Sequence, residues 1–194
     1  MPPAKKITKD MILEAGFSIV RQEGLSRLNV RSIAKKIGCS TQPVMSHYPA
    51  MDSLKAEICQ KADQFHTECL FRIGEDCGNP MLEIGLNYIR FAHKEKNLFR
   101  LLFQSDAFGA VSFQELMSSS EADMLLAPLM EQTGLTTDKA RTVFSTLFMC
   151  VHGIASLLAN NNMNYDEGEI ISSLNLVFMG AIGAIGGERD EEVI

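Results

Sequence analysis

The stretch from Asn29 to Leu54, NVRSIAKKIGCSTQPVMSHYPAMDSL, decides the fold because it has the pattern of two short helices joined by a tight turn. In the first helix, Ile33 and Ile37 lie one turn apart and are expected to face inward. Ala34 is small enough for a second helix to cross closely, and Gly38 can adopt the left-handed conformation that ends a helix. The pattern predicts a helix-turn-helix unit.

The second helix of this unit is expected to begin after Ser40, which suits the N-cap position, while Cys39 is expected to be buried in the turn. Val44 and Tyr48 are four residues apart and are predicted to point back into the core. The side chains left on the outside are short, polar or flexible: Thr41, Gln42, Met45, Ser46 and His47.

This outward face suits contacts with base edges and phosphates in a major groove of DNA. A glutamine can pair with adenine, and the Pro43 ring can touch a thymine methyl group. Short helical hairpins with a glycine in the turn also occur in helical proteins that bind no DNA. The predicted DNA contacts are Arg31, Ser40, Thr41, Gln42, Pro43, Met45, Ser46, His47 and Lys55.

Charge is distributed unevenly along the 194 residues, although the net charge is -6. Residues 1–61 carry ten Lys or Arg against five Asp or Glu, whereas residues 62–194 carry eight against nineteen. A basic N-terminal third, which includes the Lys-rich arm before Thr8, is what phosphate neutralisation at one end of a protein requires. The distribution favours nucleic acid as a partner of this end.

Apolar residues recur at helical spacing through most of the remaining chain, and no stretch shows the alternation typical of strands. Asn79 followed by Pro80 is a strong helix-start signal, and the stretch from Ser105 to Ser120 is ambiguous. Two long helices, Thr137–Ala159 and Glu167–Ile185, are expected to be mostly buried. The sequence predicts an all-α protein of roughly nine helices with no β-sheet.

Five scattered cysteines without a signal peptide favour a reducing cytoplasm. The apolar run from Leu176 to Gly186 is shorter than the roughly 20 residues of a bilayer span, so no membrane is expected. Cys59, His66 and Cys69 lie near one helical face, an arrangement compatible with a metal site. Only three ligands are local, however, whereas a structural zinc site has four, so inert thiols are favoured. No catalytic spacing of nucleophile and base and no phosphate loop stands out, so neither enzyme activity nor a cofactor is predicted.

Residues 8–60 resemble the DNA-binding region of the TetR family of bacterial transcriptional regulators. The resemblance rests on a first helix that ends in EGL, on the turn IAKKIGCS, and on the stretch to Leu54. Val151-His152-Gly153 is similar to a motif of one C-terminal subtype. The resemblance implies a three-helix head over residues 1–55 and, over residues 56–194, a larger helical domain with a ligand cavity and a homodimer interface in its last two helices.

Two positions depart from the family pattern. Met45 stands where the family usually has an aromatic residue that contacts phosphate, and Met51 stands where it usually has a lysine. His47 and Tyr48 do match the pair that closes the recognition helix. The contacts with the DNA phosphate backbone are therefore expected to come from Ser46, His47 and Lys55 instead.

Large adaptable side chains concentrate in the middle of the chain, where they fit either an ordinary core or an apolar effector cavity. The candidate cavity residues are Phe91, Phe99, Phe103, Gln104, Met117, Phe148 and His152. Two stripes suggest either the dimer interface or internal packing: Phe144, Phe148, Val151 and Ala155 in the first long helix, and Ser173, Val177, Gly180, Ala181 and Ala184 in the second.

These observations lead to two function hypotheses. The first is a dimeric cytoplasmic regulator, a repressor of the TetR type, that leaves a palindromic DNA operator when a small apolar effector binds. The second is a helical small-molecule-binding dimer whose N-terminal head contacts proteins instead of DNA.

Overall fold

The computed structural model describes residues 6–74, 77–105, 120–161 and 163–187. Throughout these ranges the regular structure is helical and no strand occurs, which confirms the all-α prediction. The α-helices of the described chain are α1 (Lys9–Glu23), α2 (Val30–Ile37), α3 (Thr41–His47), α4 (Met51–Leu70), α5 (Pro80–Lys94), α6 (Lys96–Phe103), α7 (Ser120–Thr133), α8 (Thr137–Asn160) and α9 (Glu167–Gly187).

Several helix ends follow the local signals in the sequence. The Thr8 hydroxyl accepts a hydrogen bond from the backbone N–H of Met11 and so caps α1. Asn29 and Ser32 form a reciprocal capping box at the start of α2. Asn79 caps α5 through the N–H of Leu82, with Pro80 at the first helical position as predicted.

The described chain divides into two compact units. The first unit comprises residues 6–68 and 94–105, in which α1 packs against α2 and α6. The second unit comprises residues 69–74, 77–93, 120–161 and 163–187. The division of function between residues 1–55 and 56–194 stays a prediction.

A cluster of buried apolar side chains from α7, α8 and the end of α9 forms a core in the second unit. Its members include Leu129, Ala140, Val143, Phe144, Leu147 and Ile185. Phe144 of the α8 stripe belongs to this core, and Val151 and Ala155 of the same stripe are also buried within the chain, while Phe148 is half-buried. Of the two interpretations of that stripe, internal packing is the one that the burial of these residues supports.

The two long helices are less buried than their composition suggests. By length and hydropathy alone, Thr137–Asn160 and Glu167–Ile185 are apolar enough to cross a membrane, but only 33% and 17% of their most apolar windows are buried. The expectation that both would be mostly buried is therefore wrong. Apolar composition indicates that side chains avoid water, but it does not say whether their own chain or another surface covers them.

Candidate nucleic-acid interface and effector cavity

The helix-turn-helix is held together by side chains that the sequence pattern placed inside. Ile33, Ala34 and Val44 are buried, as is Tyr48 directly after α3. Gly38 has φ +77° and ψ +41°, and its N–H bonds the Ala34 carbonyl at 2.9 Å. A side chain at this left-handed position would be strained, so the glycine fixes the angle at which α3 leaves α2.

Two details of the turn differ from the expectation. Cys39 is half-buried instead of buried, because the αL turn ends α2 before the chain re-enters the core. Ser40 does occupy the N-cap of α3, but its side chain makes no capping hydrogen bond. Ser40 is exposed at the start of α3, which is where the sequence predicts a DNA contact.

The predicted DNA contacts lie together on the outside of the first unit. Met45 is 57% exposed at the centre of this face, and Pro43 is half-buried. Lys55 is also half-buried, and its amine lies 2.9 Å from the Asp52 carboxylate on the same helix, α4. The charge of Lys55 is therefore partly neutralised by this ion pair. The other exposed members of the set are Arg31, Ser40, Thr41, Gln42, Ser46 and His47.

The end of α3 is fixed by a polar cluster. The Tyr48 hydroxyl donates to Glu57 Oε2 at 2.7 Å, and the Lys9 amine lies 2.6 Å from Glu57 Oε1 and above the Tyr48 ring. Burial and the carboxylate raise the pKa of Tyr48, while the bonds from Lys9 and Tyr48 lower the pKa of Glu57. The cluster ties α3 to α1 and α4.

His47 makes a further connection. Its Nε2 lies 3.1 Å from the backbone carbonyl oxygen of Ile7, and because a carbonyl only accepts, this nitrogen is the donor. The bond joins the last turn of α3 to the residue before Thr8, the cap of α1. Lys6, which directly precedes Ile7 in the chain, is exposed.

A separate cavity of about 70 Å³ lies within the second unit. Its apolar lining comes mainly from α5, α8 and α9 and includes Leu82, Ile84, Phe144, Phe148, Val151 and Leu174. Four lining residues carry neutral polar groups: Asn79, Tyr88, Gln132 and Asn175. Tyr88 Oη lies 2.9 Å from His152 Nδ1, and the His152 ring stacks on Phe148 at 5.5 Å between centroids.

Burial affects both partners of the Tyr88–His152 pair in the same sense. It raises the pKa of Tyr88 and lowers the pKa of His152. Desolvation penalises the charged form of each group, so both rings are neutral near pH 7.

The predicted cavity residues do not all meet at this place. Phe148 lines the cavity, and His152 contacts it through Tyr88 and Phe148. Phe91 is buried in the second unit without lining the cavity, while Phe99, Phe103 and Gln104 belong to the first unit. Met117 lies outside the described residues. Gln104 instead borders a larger depression of about 490 Å³ beside Lys55 and Cys59.

Sequence reasoning missed most of the cavity lining, including Ile84, Val151 and Leu174. The signal available was weak, because each of these residues is an ordinary apolar member of a helical stripe. Gly85 is more telling, since a Cβ there would lie 3.4 Å from Val151 and 3.8 Å from Leu174, so the glycine brings these helices close together beside the cavity.

No group of three or more His, Cys, Asp or Glu side chains in the described part of the chain is placed to hold a metal ion. Burial raises the pKa of the Cys59 thiol and lowers the pKa of His66 to about 4. His66 packs edge-on against Phe103, with 5.1 Å between ring centroids. These environments are those of core side chains.

The chain is similar to known proteins in both of its halves. The protein-family model of the tetracyclin repressor-like C-terminal domain matches residues 81–174 of this chain. An uncharacterised HTH-type transcriptional regulator of Bacillus subtilis, YobS, is 22% identical over 184 residues, which cover 90% of this chain and 91% of that protein.

Solved structures of similar fold include three described as regulators or binding proteins. A transcriptional regulator from Rhodococcus has a TM-score of 0.61 at 15% identity and covers 92% of this chain and 97% of its own. A TetR family member from Streptomyces coelicolor has a TM-score of 0.55 at 16% identity, covering 87% and 96%. The multidrug binding protein EbrR, complexed with imidazole, has a TM-score of 0.52 at 14% identity, covering 89% and 96%.

Proposed function

Because this chain belongs to the TetR family of helix-turn-helix transcriptional regulators, we propose that it is a repressor that leaves its operator when a small apolar effector binds. The observation that carries the proposal is the exposed face of α3, held rigidly by buried Val44 and by Tyr48 at its end. A fixed polar helix face with cations around it is what reading of a major groove requires.

DNA is contacted through two kinds of group. Thr41, Gln42, Pro43 and Met45 face the base edges, where Gln42 pairs with adenine and the apolar groups meet thymine methyls. Positively charged and hydroxyl side chains hold the phosphates; they are Arg31, Ser40, Ser46 and Lys55, with Lys35 and Lys36 exposed nearby. His47 lies on the same face, where its bond to the Ile7 carbonyl holds the basic arm close to the phosphates.

The repressor acts as a homodimer whose interface is the outer faces of α8 and α9. Leu176 and Met179 on α9 are 76% and 66% exposed, and Met149 and Leu157 on α8 are exposed large apolar side chains as well. Gly153 on α8 and Gly180 on α9 have open space where a Cβ would stand, so a second copy can approach closely. Two-fold symmetry then matches a palindromic operator.

The effector enters the cavity of the second unit. That cavity is concave and mainly apolar with a few polar groups, which is the usual composition of a small-molecule site. The description of EbrR as a multidrug binding protein supports small-molecule binding in this fold. A regulator that binds chromosomal DNA acts in the cytoplasm, and we assign it no membrane partner.

The test is binding to the DNA upstream of its own gene across a salt series. Affinity that falls steeply with salt supports phosphate contacts. We expect Gln42→Ala to reduce operator affinity by about 5- to 150-fold, which corresponds to the loss of a base contact worth about 1–3 kcal/mol. Gln60→Ala, an exposed glutamine on α4, is the matched control and is expected to bind normally. Equal affinity for random DNA contradicts an operator-specific repressor, and no DNA binding favours a head that contacts proteins.

A further inference from the structure

We propose that the cavity beside Tyr88 selects small uncharged molecules, a single ring or a short branched chain with one polar substituent, and rejects charged molecules of the same shape. This inference rests on the proposed function because it specifies the effector of that site. It is argued from the size, lining and electrostatics of the cavity.

Size sets the first limit. The cavity holds about 70 Å³, whereas an engineered apolar cavity of about 150 Å³ in another protein accommodates benzene. Two of the lining side chains, Met81 and Phe178, are only partly buried. A methionine can change rotamer at small cost, so modest expansion to one ring is within reach while a large polycyclic molecule is not.

Charge sets the second limit. None of the described lining residues is Asp, Glu, Lys, Arg or His. The Arg90 guanidinium, two residues after Tyr88, is already bound by Glu83 at 2.6 Å and by both carboxylate oxygens of Glu167. A charged ligand would lose its hydration without gaining a counter-ion, so the cavity disfavours it relative to a neutral molecule of the same shape.

Neutral polar groups lie where the lining reaches solvent. Gln132 and Asn175 are exposed lining residues, and their amides can both donate and accept hydrogen bonds. Asn79 is already engaged, since its Oδ1 accepts from the Leu82 N–H at 3.0 Å. A ligand can therefore bury an apolar body between α5, α8 and α9 and present one hydroxyl or amide group to these rim amides.

The test uses the full chain labelled with ¹³C at its methionine methyl groups and observed by NMR. Met81 lines the cavity, while Met45 lies on the DNA-reading face and reports nonspecific effects. The probes are benzyl alcohol, benzoate and protonated benzylamine, which share a ring but differ in charge. Each is titrated into the protein in the absence of DNA, with the Met81 signal identified from a Met81→Leu variant.

We expect benzyl alcohol to shift the Met81 signal in a saturable manner and to leave Met45 unchanged. The two charged probes are expected to bind at least tenfold more weakly. Gly85→Ala places a methyl group 3.4 Å from Val151 in the cavity wall, so it should weaken benzyl alcohol binding while the better helix former keeps the fold.

Saturable binding of benzoate or benzylammonium as tight as that of benzyl alcohol overturns the inference, and so does the absence of any Met81 shift with benzyl alcohol. The proposed function fails by a different result. If the neutral probe binds at Met81 but never weakens operator binding, the ligand class stands and release by this site is contradicted.

Discussion

The Tyr48 hydroxyl donates a 2.7 Å hydrogen bond to Glu57 Oε2, and this bond joins the residue that ends the recognition helix to α4. Lys9 of α1 binds the other oxygen of the same carboxylate. The orientation of α3 is therefore set by an apolar contact at Val44, buried beneath it, and by a polar contact at its end.

Tyr48→Phe is expected to lower the free energy of unfolding by about 1–2 kcal/mol, because it removes the phenolic donor and leaves the ring packing intact. Urea denaturation followed by circular dichroism measures this loss. Operator affinity should fall as well, although the Tyr48 hydroxyl points to Glu57 and not to DNA. Tyr165→Phe, which removes the bond from Tyr165 to Glu167 in the second unit, is the control for DNA binding. Equal loss of affinity in both variants would contradict a local effect on α3.

His66 makes the stability of the protein depend on pH. Burial lowers its pKa from about 6.5 to about 4, so the folded state holds the ring neutral where the unfolded chain already binds a proton. Above pH 6.5 the titration of His66 does not change the free energy of unfolding. As the pH falls from 6.5 towards 4, the free energy of unfolding decreases by up to about 3 kcal/mol, because the unfolded chain binds the proton more readily. Urea titrations at several pH values measure this slope.

His66→Phe should flatten the slope between pH 6.5 and 4, since an aromatic ring that cannot titrate replaces the imidazole against Phe103. His47→Phe, at an exposed histidine, is the matched control and should retain the slope. A slope unchanged by His66→Phe would mean that other groups carry the acid sensitivity.

The exposed apolar side chains of α9 give a direct test of the dimer. Met179→Lys places a charge at the centre of the proposed interface and should convert a species of twice the 21.4 kDa chain mass into a monomer. Analytical ultracentrifugation measures the mass. Met124→Lys changes a methionine of similar exposure, 61%, on α7 and should leave the dimer intact. A wild-type chain that sediments as a monomer contradicts the interface outright.

The sequence was most informative where the structure depends on neighbours within one helical turn. The capping box of Asn29 with Ser32 and the left-handed Gly38 act over three or four residues, so their chemistry can be recognised without knowing the fold. The cavity could not be predicted in the same way. Ile84 and Leu174 line it from helices 90 positions apart, and periodicity tells which side of a helix is apolar but not which helix packs against it.

The bond from His47 Nε2 to the Ile7 carbonyl leads to a prediction about the basic arm. The sequence predicts that His47 contacts DNA itself. Its Nε2, however, already donates a hydrogen bond to the carbonyl of Ile7, the residue that follows Lys5 and Lys6. We expect His47 to act mainly by positioning these lysines near phosphates. Deletion of residues 2–6 should then reduce the slope of log K against log salt by about 1.8, since each phosphate contact contributes about 0.9.

His47→Ala should weaken operator binding no more than the deletion does, and the two changes together should cost no more than the deletion alone. A double-mutant cycle on operator affinity measures this coupling. Ser46→Ala, at the neighbouring exposed position on α3, is the control, and its loss should add to that of the deletion. Additive losses for His47→Ala would show that the imidazole contacts DNA independently of the arm, because a residue that only positions the arm has nothing left to position once the lysines are gone.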